Sequence, residues 1–142
     1  MLAQKTRYAL RALLYLAETE AGRSVQVGDI AATQHVPRKY LELILLDLKR
    51  GGFVTSRRGP GGGYTLAKPP SEINFAEVIR LMDGPIALVP CASLNFYERC
   101  ADCKDEATCA IRRVMAKVRE DAARTLAATS LADAAAFETL AA

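Results

Sequence analysis

The chain has a single histidine, His35, among 142 residues. No carboxylate stands near it to build a Ser/His/Asp set, so hydrolytic chemistry of that kind is not expected. No apolar run approaches the ~20 residues that a membrane-spanning helix needs. The sequence opens directly on an amphipathic helical pattern with no signal-peptide layout, so a cytoplasmic location is expected. Glycine and proline are scarce outside one short segment, and charged residues make up 25% of the chain. That composition excludes a largely disordered protein and predicts a folded core. No internal repeat or low-complexity tract is present, although the carboxyl end is alanine-rich.

What is present concentrates in residues 27–66. The segment Val27–Gln34 has a short helical pattern, followed by the turn His35-Val36-Pro37. A second helix is predicted from Pro37 to Arg50, with proline at its first position, where a missing N–H costs nothing. Leu41, Ile44, Leu45 and Leu48 recur at helical spacing, and Gly51-Gly52 end the pattern. Phe53–Ser56 and Tyr64–Leu66 then read as strands around Arg57–Gly63, whose four glycines (59, 61, 62 and 63) permit tight turns and close backbone approach. This order of elements predicts a winged helix-turn-helix.

Charge supports a polyanionic partner. From His35 to Lys68 there are seven cations and two acids, a net +5 against +3 for the whole chain. Such a patch binds phosphates with an affinity that falls as salt rises. Arg38, Lys39 and Tyr40 open the second helix, the end that enters the major groove of double-stranded DNA in this motif. Arg57 and Arg58 stand at the wing, where arginine suits a narrow minor groove. A nucleotide-binding glycine loop does not fit. No Lys-Ser/Thr follows the glycines, and Tyr64 sits where Gly59-x-Gly61 would need its third glycine.

The flanks are expected to be helical. Leu2, Tyr8, Ala9, Ala12, Leu13, Leu16 and Ala17 mark a first helix over residues 2–20, ended near Gly22. Ser24-Val25 is a candidate extra strand for the wing. Asn74 should cap a helix from Phe75 to Asp83. A long helix is predicted from Glu106 to Ala128, capped by Asp105, with Ile111, Val114, Met115, Val118, Ala122 and Leu126 in one stripe. A second copy of the chain would bury that stripe, and so would the first helix. Thr129 is expected to cap a last helix, Ser130–Phe137. The expected organisation is a DNA-binding domain at 1–84, a cysteine-rich sensor loop at 85–105, and dimerisation and short terminal helices at 106–142.

All four cysteines, Cys91, Cys100, Cys103 and Cys109, fall within 19 residues. Soft thiolates grouped in a loop suit an iron–sulfur cluster or a tetrahedral zinc ion. Only Cys100-x2-Cys103 has the short chelating form usual for zinc. A metal-free thiol switch, with Cys100 and Cys103 as the reactive pair, is a third possibility. Spacing alone does not choose among them.

Three stretches carry a family resemblance. They are Tyr8–Leu13 in the first helix, Tyr40-Leu41-Glu42 in the recognition helix, and Arg58–Leu66 in the wing. With the cysteine loop, they resemble the Rrf-two superfamily of bacterial winged-helix transcriptional regulators over nearly the whole chain. The resemblance implies a homodimer that binds a DNA operator through Arg38, Lys39, Tyr40, Glu42, Arg57, Arg58, Gly59, Gly61, Gly62 and Tyr64, with Glu42 as the base-reading carboxylate. It further implies a 2Fe–2S or 4Fe–4S cluster on Cys91, Cys103 and Cys109, with Cys100 as an extra thiol able to replace Cys103 or supply a fourth ligand. In one branch of the family a histidine three residues after the last cysteine completes the site. Arg112 occupies that position here, so a three-Cys, one-His site is not expected. A zinc-stabilised adaptor module is the alternative outside transcription.

Overall fold

The computed structural model describes residues 2–141. The amino-terminal unit begins with α1 (Gln4–Glu18), α2 (Val27–Gln34) and α3 (Arg38–Arg50). The wing follows as β1 (Val54–Arg57) and β2 (Gly63–Leu66), antiparallel with Val54 opposite Leu66 and Arg57 opposite Gly63. A 3₁₀ turn at Pro70–Glu72 leads into α4 (Phe75–Met82). Beyond α4 an irregular segment contains one 3₁₀ turn, Pro90–Ala92, before α5 (Ala110–Ala128) and α6 (Leu131–Ala141).

The recognition helix is held by its apolar spacing. Leu41, Ile44, Leu45 and Leu48 are all fully buried, meeting Ala9, Leu13 and Leu16 of α1 and Ile30 of α2 in one core. Burying each such leucine or isoleucine is worth roughly 1.5–3 kcal/mol, so packing on α1 fixes the orientation of α3. The turn between α2 and α3 is set by His35, in the left-handed region at φ 54°, and by Pro37. Pro37 sits one position earlier than expected. It is the N-cap, with φ −56° and an extended ψ of 127°, and α3 begins at Arg38. Its carbonyl still accepts the Leu41 N–H at 2.9 Å.

The expected third strand is present as a single bridge. Val25 and Tyr64 exchange backbone hydrogen bonds of 2.9 and 2.7 Å, fastening the wing to the helical body. Lys49 Nζ donates to Ser56 Oγ at 2.7 Å and links α3 to β1. Asn74 caps α4 as expected, its side chain accepting from the Glu77 N–H at 3.0 Å.

Two helix starts differ from the sequence reading. The helix expected from Glu106 begins at Ala110, because Asp105 closes a separate turn. Its carboxylate accepts from the Ala107 N–H at 3.0 Å and the Thr108 hydroxyl at 3.3 Å. Cys109 is therefore the N-cap of α5, not a residue of its first turn, and its Sγ accepts from the Arg112 N–H at 3.4 Å. Thr129 likewise does not cap the last helix. Ser130 and Asp133 form a reciprocal box, with Ser130 N–H on Asp133 Oδ2 at 3.0 Å and Asp133 N–H on Ser130 Oγ at 3.1 Å. The Thr129 hydroxyl donates back to the Thr125 carbonyl at 2.8 Å.

The α6 helix returns to the amino-terminal unit. Leu131 is fully buried in the same core as α1, and its N–H donates to the Ile73 carbonyl at 2.9 Å. By contrast, α5 packs mainly on α4 and the Pro90–Ala92 turn, and none of its residues is buried. Ile111, Val114 and Val118 are 68%, 57% and 41% exposed, so this part of the α5 stripe faces outward, while Met115, Ala122 and Leu126 are half-buried. No helix is long and apolar enough to cross a membrane among the described residues.

Candidate nucleic-acid interface and cysteine site

The outer face of α3 and the wing tip lie on either side of the Lys49–Ser56 hydrogen bond. Arg38, Lys39 and Glu42 are exposed on α3, and Arg57, Arg58, Gly59 and Gly61 are exposed on the wing. Arg38 Nε and Glu42 Oε1 pair at 3.4 Å, with side chains 67% and 50% exposed. An exposed i,i+4 pair is worth only a few tenths of a kcal/mol, so Glu42 is free to exchange Arg38 for another donor. Asp47 is turned away from this surface, toward α1, where it pairs with Lys5 at 3.2 Å.

Three of the expected contact residues have a scaffolding position. Tyr40 is half-buried, its ring edge-on to Tyr8 with centroids 5.7 Å apart. Tyr64 is half-buried against the core at the base of the wing. Gly62 is buried inside the wing turn, where its N–H donates to the Gly59 carbonyl at 2.9 Å.

The cysteine site is built from the Pro90–Ala92 turn, the loop after it and the start of α5. Cys91 is buried; Cys100 is exposed; Cys103 and Cys109 lie between. The Cys91 turn is tied to α5 by two arginines. Arg112 Nε donates to the Cys91 carbonyl at 3.0 Å and Arg119 Nη1 to the Ala92 carbonyl at 2.6 Å. The sequence reading missed both tethers, since long-range side chain-to-backbone bonds leave no local pattern. Tyr97 donates to Glu106 across the loop, and that bond holds the phenol above its ordinary pKa.

Cys100 Sγ lies 3.7 Å from Cys91 Sγ. This contact raises the Cys100 thiol above its usual value, first through the hydrogen bond with Cys91 and then through charge repulsion from it. The sequence reading named Cys100 with Cys103 as the thiol-switch pair; the thiol contact seen here joins Cys100 to Cys91. All four cysteines line one cavity of about 340 Å³, with Val89 and Ile111 among its apolar walls. Among the described residues, no three His, Cys, Asp or Glu side chains close on a single metal-ion position. A polynuclear cluster does not require that, because its thiolates are distributed over two or more irons. The donor set and the cavity therefore fit a cluster. Arg112, already spent on the Cys91 carbonyl, contributes no ligand. His35 lies at the end of α2, outside this site.

The profile of the Rrf2 family, described as an iron-dependent transcriptional regulator, matches residues 2–136. The chain belongs to the Rrf2 family of transcriptional regulators. An rrf2-like protein of Rhodobacter capsulatus, named as an HTH-type transcriptional regulator, is 46% identical over 121 residues, covering 83% of this chain and 81% of that one. A Mycobacterium tuberculosis protein, also named as an HTH-type regulator, is 43% identical over 88 residues, 62% of this chain but only 55% of its own length. Among solved structures, the cysteine regulator CymR of B. subtilis superposes with a TM-score of 0.80 at 29% identity, covering 96% and 97% of the two chains. IscR of T. potens superposes with a TM-score of 0.73 at 26% identity, covering 94% and 84%. The Rrf2 chain described here is accordingly a DNA-binding transcriptional regulator with a winged-helix fold, and not an enzyme.

Proposed function

We propose that this Rrf2 regulator acts as a cytoplasmic homodimer on a double-stranded operator and senses redox state, iron or nitric oxide through an iron–sulfur cluster in its cysteine loop. The observation that carries this reading is the convergence of all four thiols on one cavity at the amino end of α5. Cys91, Cys103 and Cys109 would hold the cluster, with Cys100 as the fourth donor. A cluster bound there supplies a ligand whose gain or loss reorders the loop.

The chain's own residues supply the path outward. Arg112 and Arg119 fix the Cys91 turn to α5, α5 packs on α4, α4 on α1, and α1 beneath α3. A loop change that shifts α5 therefore bears on the recognition helix through packed elements. Regulation needs a coupling of only about 1–3 kcal/mol. The exposed stripe of Ile111, Val114 and Val118 supports a second copy against α5, and paired half-sites on DNA require such a two-fold partner.

Purification without oxygen, followed by iron and sulfide analysis and a visible spectrum, tests the cluster. Iron and sulfide in matching amounts, with absorbance at roughly 300–600 nm, are expected for wild type. A Cys91→Ala, Cys103→Ala, Cys109→Ala variant should be colourless yet folded. Operator binding by that variant identical to wild type under every redox condition would remove sensing from these thiols.

A second reading is favoured by the 3.7 Å contact of Cys91 with Cys100. With peroxide as oxidant, the two thiols lose two protons and two electrons to form a disulfide, and the peroxide is reduced to water. Mass spectrometry of colourless, oxidised protein would then show a Cys91–Cys100 crosslink. A zinc-stabilised adaptor is disfavoured, since the hydrophobic core is assembled without any cysteine.

A further inference from the structure

The outward face of α3 carries an apolar centre. Lys39, Leu43, Leu46 and Arg50 stand at i, i+4, i+7 and i+11, so they form one stripe along the helix. The stripe lies opposite Leu41, Ile44, Leu45 and Leu48, which are fully buried. Leu43 is 63% exposed and Leu46 39%. Exposed leucines in mid-helix, between two cations, are not explained by the fold, because the core is already filled from the other side. Glu42 lies at the edge of the stripe, held by Arg38 at 3.4 Å.

The flanking charges select the occupant. A groove with anionic walls and an apolar group on its floor matches a face with cations at its ends and leucines at its centre. In duplex DNA the walls are phosphates, and the only apolar group on the floor of the major groove is the C5-methyl of thymine. A cytosine or purine edge would leave the leucines facing unpaired polar groups.

We propose that Leu43 and Leu46 read thymine methyl groups in the operator, while Lys39 and Arg50 hold phosphates at the two ends of the stripe. This rests on α3 being the major-groove helix of the regulator. It assigns sequence preference to two apolar side chains in addition to the carboxylate of Glu42, and it places thymine within the segment of each half-site covered by the middle of α3.

The test begins with the full-length protein and a duplex selected by it from a random DNA library. Each thymine of that duplex is then replaced singly by deoxyuridine, which removes the methyl and leaves base pairing unchanged. At one or two thymines per half-site, wild type should bind the uracil duplex about fourfold more weakly, the worth of one buried methyl. Leu43→Ala or Leu46→Ala should bind thymine and uracil duplexes equally at that position. Both side chains are exposed, so circular dichroism melts of the variants should match wild type.

A selected duplex that binds in a salt-dependent manner with no thymine sensitive to demethylation would overturn methyl reading and leave DNA reading by α3 intact. Failure to select any duplex above background would remove the DNA-reading role of α3, and the proposal with it. Methyl discrimination that survives in both variants would assign it to other residues. Variants that alter oligomer mass but not the uracil response would assign the leucines to a protein contact.

Discussion

Substituting Gly62 with alanine separates the shape of the wing from its charge. A Cβ at residue 62 would lie 2.3 Å from the Arg57 carbonyl oxygen and 2.8 Å from that of Gly59. Both obstacles are backbone, so no side-chain rotation relieves them. The loop must move by roughly 1 Å to restore van der Waals distance. That movement breaks the 2.9 Å hydrogen bond from the Gly62 N–H to the Gly59 carbonyl. Losing the bond costs about 0.5–1.5 kcal/mol and the overlap about 1–3 kcal/mol. The free loop escapes by rearranging, and the cost returns when the wing must be rebuilt on DNA. The middle of the combined range, about 2–3 kcal/mol, corresponds to about 30- to 150-fold weaker binding. Gly61 is the control. Its φ is +74°, but a Cβ there meets nothing within 4 Å, so alanine faces only the left-handed penalty of about 1–2 kcal/mol. Fluorescence anisotropy on a selected duplex measures both variants, and a urea melt checks that the helical core is unchanged. Gly62→Ala binding within about twofold of wild type, or Gly61→Ala binding worse than Gly62→Ala, would refute the steric account of the wing.

Leu45→Ala should destabilise the protein by about 2–5 kcal/mol, since the side chain is fully buried between α3 and α1, and a urea titration measures it. Ser130→Ala should cost about 1 kcal/mol by uncapping α6, seen as faster amide exchange in that helix. The Asp133 carboxyl is held below its ordinary value of 3.8, first by the Ser130 backbone N–H, so its stabilising contribution is present above that pH and lost as pH falls through the lowered value. Asp133→Asn should therefore flatten the acid limb of a stability–pH profile below about pH 4. Arg119→Met should remove the bond to the Ala92 carbonyl, and hydrogen exchange should rise in the Cys91 turn while the α3 core keeps its protection; equal protection in variant and wild type would deny the tether.

The reader was legible because local signals agreed there. The Leu41-Ile44-Leu45-Leu48 spacing, Pro37 beside His35, and the glycines of the wing each specify backbone shape within a few residues, and the structure follows them to within one or two positions. The failures share a cause. Asp105 and Cys109 compete to cap the same approach to α5, and the sequence does not say which side chain wins. Asp105 closes its own turn and leaves Cys109 as the cap. The pairing of Cys91 with Cys100, nine residues apart, depends on how an irregular loop folds over a cavity, and no periodicity encodes that.

The same contrast bears on how sensing reaches DNA. The stretches with strong local signals form a core sealed by α1, α3 and Leu131 of α6, and such a core resists small shifts. The stretch with weak signals, residues 85–109, is attached to the rest mainly through α5 and the two arginine tethers. Free energy released or consumed in that loop is therefore not absorbed by repacking the core. On the proposed reading it would move α5 as a body, and α5 is the helix whose Ile111, Val114 and Val118 are exposed. In the proposed dimer, joined along those residues, a small rotation of α5 would change the spacing between two recognition helices. Operator DNA fixes that spacing at one helical turn or a multiple of it, so the geometry amplifies a shift that leaves each reader's own fold untouched.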